Sequence, residues 1–309
     1  DLSLMRFQQG QLDYYAVRGE DFPELKPREP DGGYTIYMTG VTDGSQFLFF
    51  NQNTGTNARG EPYIDPVKLK WFRDVRFRRA VAHAIDRQSM IDTLMNGLAI
   101  PQWSPAGPSS PFHNPDVPTY PYDPQRARQL LAEAGFRDLN GDGWIQDADG
   151  NTVEFNLTTN AENTTRIRMA EMIRKDLEEL GFKVSFLPLQ FNMLVSRLDS
   201  SYDWEAIILG LTGGVEPHFG RNVWHSSGKT HMWFPQQETP STEWEARIDE
   251  LFDAGVQELD VEKRREIYNE WQVIAAEQLP LIYTVLSNRI QAVNNQLGNI
   301  HPTRFAGAL

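Results

Sequence analysis

The chain has 309 residues, of which 40% are hydrophobic and 23% charged, the composition of a folded chain forming one large domain or two modest ones. Its formal net charge of −13 leaves no evident basic surface for phosphate contacts, which argues against a nucleic-acid partner. With no cysteine it has no disulfide, no thiolate metal site and no cysteine nucleophile, a usage that fits an oxidising compartment.

The opening residues DLSLMRFQQGQLDYY show no basic-then-apolar leader. They read as the middle of a helix over 1–16, so the fold is expected to begin upstream of residue 1. No apolar run approaches the roughly 20 residues that cross a bilayer. A connection rich in proline and glycine fills 17–33, and strands are predicted at 34–38 and 46–51, with a polar loop over 53–66. Asp74 and Asp86 each cap a helix, and Gly97 ends the second. Asp123 followed by Pro124 starts another helix that Gly135 closes.

The next part alternates: strand 153–158, helix 164–180, strand 183–189, helix 190–199, strand 204–209. That order implies an α/β layer, with right-handed crossovers where neighbouring strands are parallel. A long irregular stretch, 210–242, is rich in Gly, His, Trp and Pro, and loops of that length are usually functional or disordered. Helices 243–258 and 262–278 and strands 281–286 and 289–293 complete the chain.

Three blocks carry a resemblance: FRDVRFRRAVAHAIDRQSMIDTLMNGLAIP (72–101), DPQRARQLLAEAGF (123–136) and RMAEMIRKDLEELGFKVSF (168–186). In this order they are similar to the family 5 extracellular solute-binding proteins, the dipeptide- and oligopeptide-binding components of bacterial ABC importers. The likeness extends over about residues 1–300. It implies a periplasmic-binding-protein-like α/β fold (type II, peptide-binding subclass) with a mixed sheet flanked by helices. Family members are longer, with two hinged lobes that close on a ligand. By this resemblance 1–33 is a remnant of the first lobe, which is otherwise mostly missing. Residues 34–286 are then the C-terminal ligand-binding lobe, and 287–309 the return toward the first lobe. The implied protein is a monomer outside the cytoplasm, periplasmic or extracellular, lipid-anchored if at all through an upstream segment. Its partners are a peptide or similar small solute and the importer's membrane subunits, and it is not an enzyme.

Peptide-binding relatives carry, after the strand matching 204–209, an aspartate four residues before a proline that pairs with the ligand's amino group. Here the proline is Pro217 and the matching position is Gly213, so that carboxylate is absent, with Glu216 an offset replacement. Leu211, Gly213 and Gly214 are expected to offer backbone groups to a ligand, and Trp224 and Trp233 aromatic surface. Asn163 and Arg166 lie where some relatives hold a ligand carboxylate; the plainer reading is a helix cap and a surface arginine. The lost aspartate leaves oligosaccharides open as an alternative ligand class. An acidic-residue hydrolase and a calcium-stabilised structural module are the other readings.

Asp138, Asn140, Asp142 and Asp149 fit a calcium-loop spacing with Gly143 at the sixth place, although the twelfth place is Asp rather than Glu. A tight Asx/Gly turn is the plainer reading of the same residues, so no cofactor is expected beyond a possible structural calcium ion. The arginines of the first block (Arg73, Arg76, Arg78, Arg79, Arg87) read as the solvated face of a capped helix rather than an anion site. His218, His225 and His231 are spaced as scattered loop histidines, not as a ligand set.

Overall fold

The computed structural model describes residues 2–303. Its strands are β1 (Tyr14–Val17), β2 (Tyr34–Val41), β3 (Ser45–Phe50), β4 (Ala99–Pro101), β5 (Glu154–Thr158), β6 (Lys183–Phe186), β7 (Ala206–Leu211), β8 (Ile282–Tyr283) and β9 (Val285–Asn294). They form two sheets. The larger has the order β6-β5-β7-β3-β8, with β5 parallel to β6 and β7, and β3 antiparallel to β7 and β8.

This mixed sheet is buried on both faces, which explains why β3 and β7 read as unbroken apolar runs. Successive side chains alternate. Leu48, Phe50, Ala206 and Ile208 face one core with Phe155 and Leu157, packed under the helices Val75–Ala84, Pro124–Glu133 and Thr164–Glu178. Phe50 stacks on Phe72 at 4.8 Å and meets Phe155 edge-on at 5.5 Å. Phe47, Phe49, Ile207 and Leu209 face the other core, with Trp224, Trp233 and Trp271 and the helices Glu243–Gly255 and Val261–Gln278.

Helix starts follow the caps. The carboxylates of Asp74, Asp86 and Asp123 accept from the main-chain N–H groups of Arg76, Ser89 and Arg126 at 2.8, 3.0 and 2.9 Å. One helix, Pro66–Arg73, stands between the expected 53–66 loop and the Asp74 helix, where no element was predicted. Asp65 caps it and Pro66 starts it, while Asp74 ends it and begins the next helix at once. The first helix is shorter than the sequence predicts, Leu2–Gln8. Gly10 at φ +69 turns the chain out of it, and Tyr14–Val17 alternates exposed and buried as a strand against β9.

The smaller sheet has the order β1-β9-β2, with β4 also paired to β9. It covers a separate cluster of Phe7, Tyr15, Val17, Leu25, Tyr34, Ile36, Ile290 and Ala292. Because β2 belongs to this sheet and β3 to the larger one, the change of sheet falls between Val41 and Ser45. A bulge interrupts β2 between Met38 and Val41, where Gly40 takes φ +103. Two of the chain's crossings between sheets, at 42–44 and from β8 into β9, are bridged by Arg289, which reaches Asp43 at 3.4 Å. Residues 304–309 of the expected return segment lie outside the described residues.

The first-block arginines form more than a solvated face. All five donate to main-chain carbonyls: Arg73 to Gln52, Arg76 to Glu133, Arg78 to Gln278 and Phe72, Arg79 to Glu277, and Arg87 to Tyr283. Phe72, Glu133, Glu277 and Gln278 lie in the last turns of helices, where carbonyls lack intrahelical partners. Arg78 and Arg87 are 2% and 4% exposed, and burial pushes both guanidiniums down to about 9. Their role is to brace the fold.

Candidate functional site

β5 and β7 run parallel, and ligands of open α/β sheets bind beyond the carboxyl ends of such strands. Two cavities open there, sharing Leu211 and Thr230. The first, about 300 Å³, lies between Ser45, Phe47, Gly213, Gly214, Trp224 and Trp271. The second, about 380 Å³, is walled by Phe191, Val195, Leu198, Leu209 and Met232, with Arg166 and Lys229 as its basic side chains. The β7–β3 pairing presents Leu211 and Ser45 at a common edge, and the long 210–242 loop folds over it.

The predicted site residues meet different fates. Asn163 caps the helix Thr164–Glu178, its Oδ1 accepting from the Arg166 N–H at 2.9 Å, and lines neither cavity. Arg166 lies in the second cavity. Its Nε donates to Gln46 Oε1 at 3.0 Å and its Nη1 to Asn160 Oδ1 at 2.8 Å. Both acceptors are neutral amides, and burial lowers its pKa from the ordinary arginine value. Leu211 is the wall common to both cavities.

Gly213 and Gly214 line the first cavity, for steric reasons as well. A Cβ on Gly213 would lie 1.7 Å from the Asp43 carbonyl oxygen, and one on Gly214 3.0 Å from the Phe219 ring. A side chain at 213 therefore cannot coexist with this path of the 42–44 crossing. Glu216 borders the first cavity, but its carboxylate pairs with Arg264 and caps the turn Pro217–Gly220 through the His218 N–H at 3.3 Å. It is thus already neutralised rather than a free replacement for the missing aspartate. Trp224 is 4% exposed and packs edge-on against Trp271 at 5.3 Å, so it offers the cavity little surface.

Trp233 does not reach the site. It is 1% exposed, lines neither cavity, and donates Nε1–H to Glu245 at 2.9 Å in the core beneath the loop. A loop tryptophan reads the same in sequence whether it faces a ligand or anchors the loop. Lys229 and Trp271 were missed for related reasons: Lys229 sits in a loop without periodicity, and Trp271 reads as a core position of a helix.

Glu245 fastens the loop. Besides Trp233 it accepts from the Ser241 N–H at 2.9 Å and from the Ser241 and Thr242 hydroxyls at 2.8 and 2.9 Å. Thr242 in turn caps the helix Glu243–Gly255 through the Glu245 N–H at 3.2 Å, while the Glu245 carboxylate reaches back to the Ser241 N–H. Burial alone would raise the Glu245 carboxyl, but His231, Trp233, Ser241 and Thr242 outweigh it and hold the pKa down to about 2.

The three histidines are separate. His225 lies 3.7 Å from both Asp249 and Asp253, His231 lies 3.5 Å from Glu245, and His218 sits against the Phe252 ring. Among the described residues no three His, Cys, Asp or Glu side chains converge to hold a metal ion. In the 138–149 loop the oxygens turn inward to backbone. Asp138 accepts from the N–H groups of Gly141 and Gly143 at 2.7 and 3.1 Å, and Asp142 from that of Trp144 at 2.9 Å. Asn140 accepts from the Asp142 N–H at 3.1 Å, and Asp149 lies outside this set, 4.0 Å from Lys70.

The sequence model of the Bacterial extracellular solute-binding proteins, family 5 Middle, matches residues 3–231. The chain belongs to this family. The family 5 chain is 31% identical over 296 residues to a protein of Deinococcus radiodurans named a probable ABC transporter-binding protein, covering 90% of the chain and 48% of that relative. It is 28% identical over 250 residues to the oligopeptide-binding protein AppA of Bacillus subtilis, covering 77% of the chain and 43% of the relative. The solved structure of that AppA with a nonapeptide superimposes with a TM-score of 0.79 at 23% identity, over 98% of this chain and 56% of the other. The family 5 chain therefore spans about half the length of the curated relatives it matches. Its α/β fold is that of the peptide-binding periplasmic proteins, and among its described residues no helix is long and apolar enough to cross a membrane.

Proposed function

We propose that this chain is the second-lobe half of the substrate-binding component of an ABC importer, which captures a peptide or similar solute and hands it to the membrane subunits. In this reading residues 1–33 approach the hinge, 34–286 form the binding lobe, and 287–309 return toward the first lobe. The protein works outside the cytoplasmic membrane as a monomer, anchored if at all through an upstream lipid. It binds without catalysing, and the 138–149 turn needs no cation. One observation carries the reading. Two adjoining cavities sit beyond the carboxyl ends of β5 and β7, next to the chain crossings about which the first lobe would close.

The test is native mass spectrometry and small-angle scattering on the chain joined to the rest of the protein it belongs to. A solute is expected to co-purify, and its removal and return should open and close the particle. A particle whose dimensions never change, with no co-purifying solute and no response to a broad panel of peptides, would remove this function.

A further inference from the structure

The first cavity carries hydrogen-bond donors that the fold leaves unused. Tyr283 is 6% exposed and lines this cavity, yet its hydroxyl has no hydrogen-bond partner among the described residues. Burial alone pushes its pKa up, which keeps the group protonated at neutral pH. Ser45 stands on the same side of the sheet. The antiparallel register sets Tyr283 opposite Phe47, and Ser45, two residues before Phe47, shares its face. Gln102 turns its NH2 group to the Ser104 carbonyl at 2.9 Å, and the same nitrogen donates to the Ser45 hydroxyl at 2.7 Å. Ser45 therefore accepts there and keeps its own proton to give. A third donor without an acceptor, the Trp271 indole N–H, is sealed in the same wall.

Charge is balanced around these donors. Glu216 is the one charged residue lining the cavity, and Arg264 neutralises it. Phe47, Trp224 and Trp271 make the rest of the bed largely aromatic. An ammonium group would meet donors where it needs acceptors, and a carboxylate would enter without a countercharge. A neutral carbonyl suits the wall better: its oxygen has two lone pairs for two hydroxyls and brings no charge to desolvate. Resting on the reading that the adjoining cavities receive the solute, we propose that the first cavity is a subsite for an uncharged carbonyl on a side group of that solute, with Tyr283 and Ser45 as its donors. The group it takes is a carboxamide or similar neutral carbonyl on a small apolar arm, and the subsite discriminates against the corresponding acid and amine.

Four probes share one branched arm and differ in the group it carries: isobutyramide, isobutyrate, isobutylamine and isobutanol. Each is titrated to high millimolar concentration into the 309-residue chain. NMR follows the methyl resonances of Ala106 and Leu281 in the first cavity and of Met232 in the second. Isobutyramide should shift the Ala106 and Leu281 methyls saturably, and both charged probes should bind at least about tenfold more weakly. Tyr283→Phe should weaken isobutyramide about threefold to tenfold, the loss of one hydrogen bond. The same variant should keep its melting temperature, because the hydroxyl has no partner to lose; a lowered one would make the hydroxyl part of the fold instead. Ser45→Ala should weaken isobutyramide about threefold. A charged probe that matches isobutyramide, or an unchanged affinity in Tyr283→Phe, would overturn the assignment of donors. Isobutanol binding as tightly as isobutyramide would overturn the carbonyl. Shifts confined to Met232 would sink the subsite while leaving the second cavity to the solute. Methyls unmoved by every probe would remove the subsite and the solute site together.

Discussion

Replacing Glu245 by glutamine removes the charge of the loop clasp while keeping its shape. The carboxylate is 2% exposed and takes hydrogen bonds from Trp233, Ser241 and Thr242. The gap between the ordinary carboxyl value of 4.5 and about 2 in the fold corresponds to about 3 kcal/mol at neutral pH. Because the folded pKa is depressed, this contribution is fully present above pH 4.5. It fades as acid protonates the folded group, and is gone near pH 2. Urea unfolding of wild type and Glu245→Gln, followed by tryptophan fluorescence at intervals from pH 7 downward, isolates it. The difference between the two proteins should be about 3 kcal/mol at pH 7 and should shrink steadily below pH 4.5. A difference that stays constant from pH 7 to pH 3 would refute the reasoning, since the clasp would then owe its strength to shape alone.

Arg87→Met should cost about 3 kcal/mol in urea unfolding, because the Tyr283, Ala82 and Tyr120 carbonyls lose their shared donor inside the core. Wild-type stability would show that water replaces the guanidinium there. Gly213→Ala should lower the melting temperature and displace the 42–44 crossing, since its Cβ meets the Asp43 carbonyl oxygen; a crystal structure of the variant with that crossing unmoved would contradict the steric account. Asp138→Ala should destabilise the chain by about 1 kcal/mol through loss of two N–H acceptors, equally with and without calcium. A calcium-dependent rise in melting temperature that this variant abolishes would make 138–149 a cation site.

Elements bounded by a cap and a stop were legible in the sequence: Asp86 with Gly97, and Asp123 with Gly135, mark their helices through local hydrogen bonding alone. The central strands were legible because burial on both faces makes them uniformly apolar. What failed needed tertiary information. Pro66–Arg73 abuts the next helix at Asp74, so no loop residues separate the two. Tyr14–Val17 becomes a strand only because β9, some 275 residues later, supplies its partner. At the site, the glycine pair and Arg166 were readable as an unusual loop and a helix start. The cavity that joins Arg166 to Lys229, the neutralisation of Glu216 by Arg264 and the burial of Trp233 depend on how distant segments meet.

Carbonyl oxygens neither titrate in the biological range nor carry a full charge, and guanidinium keeps its proton under the same conditions. A scaffold cross-braced between those two groups, as Arg78 and Arg87 brace this one, loses nothing when its surroundings turn sour or briny. Weathering of that kind would fall instead on the Glu245 clasp. The 210–242 loop would therefore loosen in acid while the frame behind it stood unchanged.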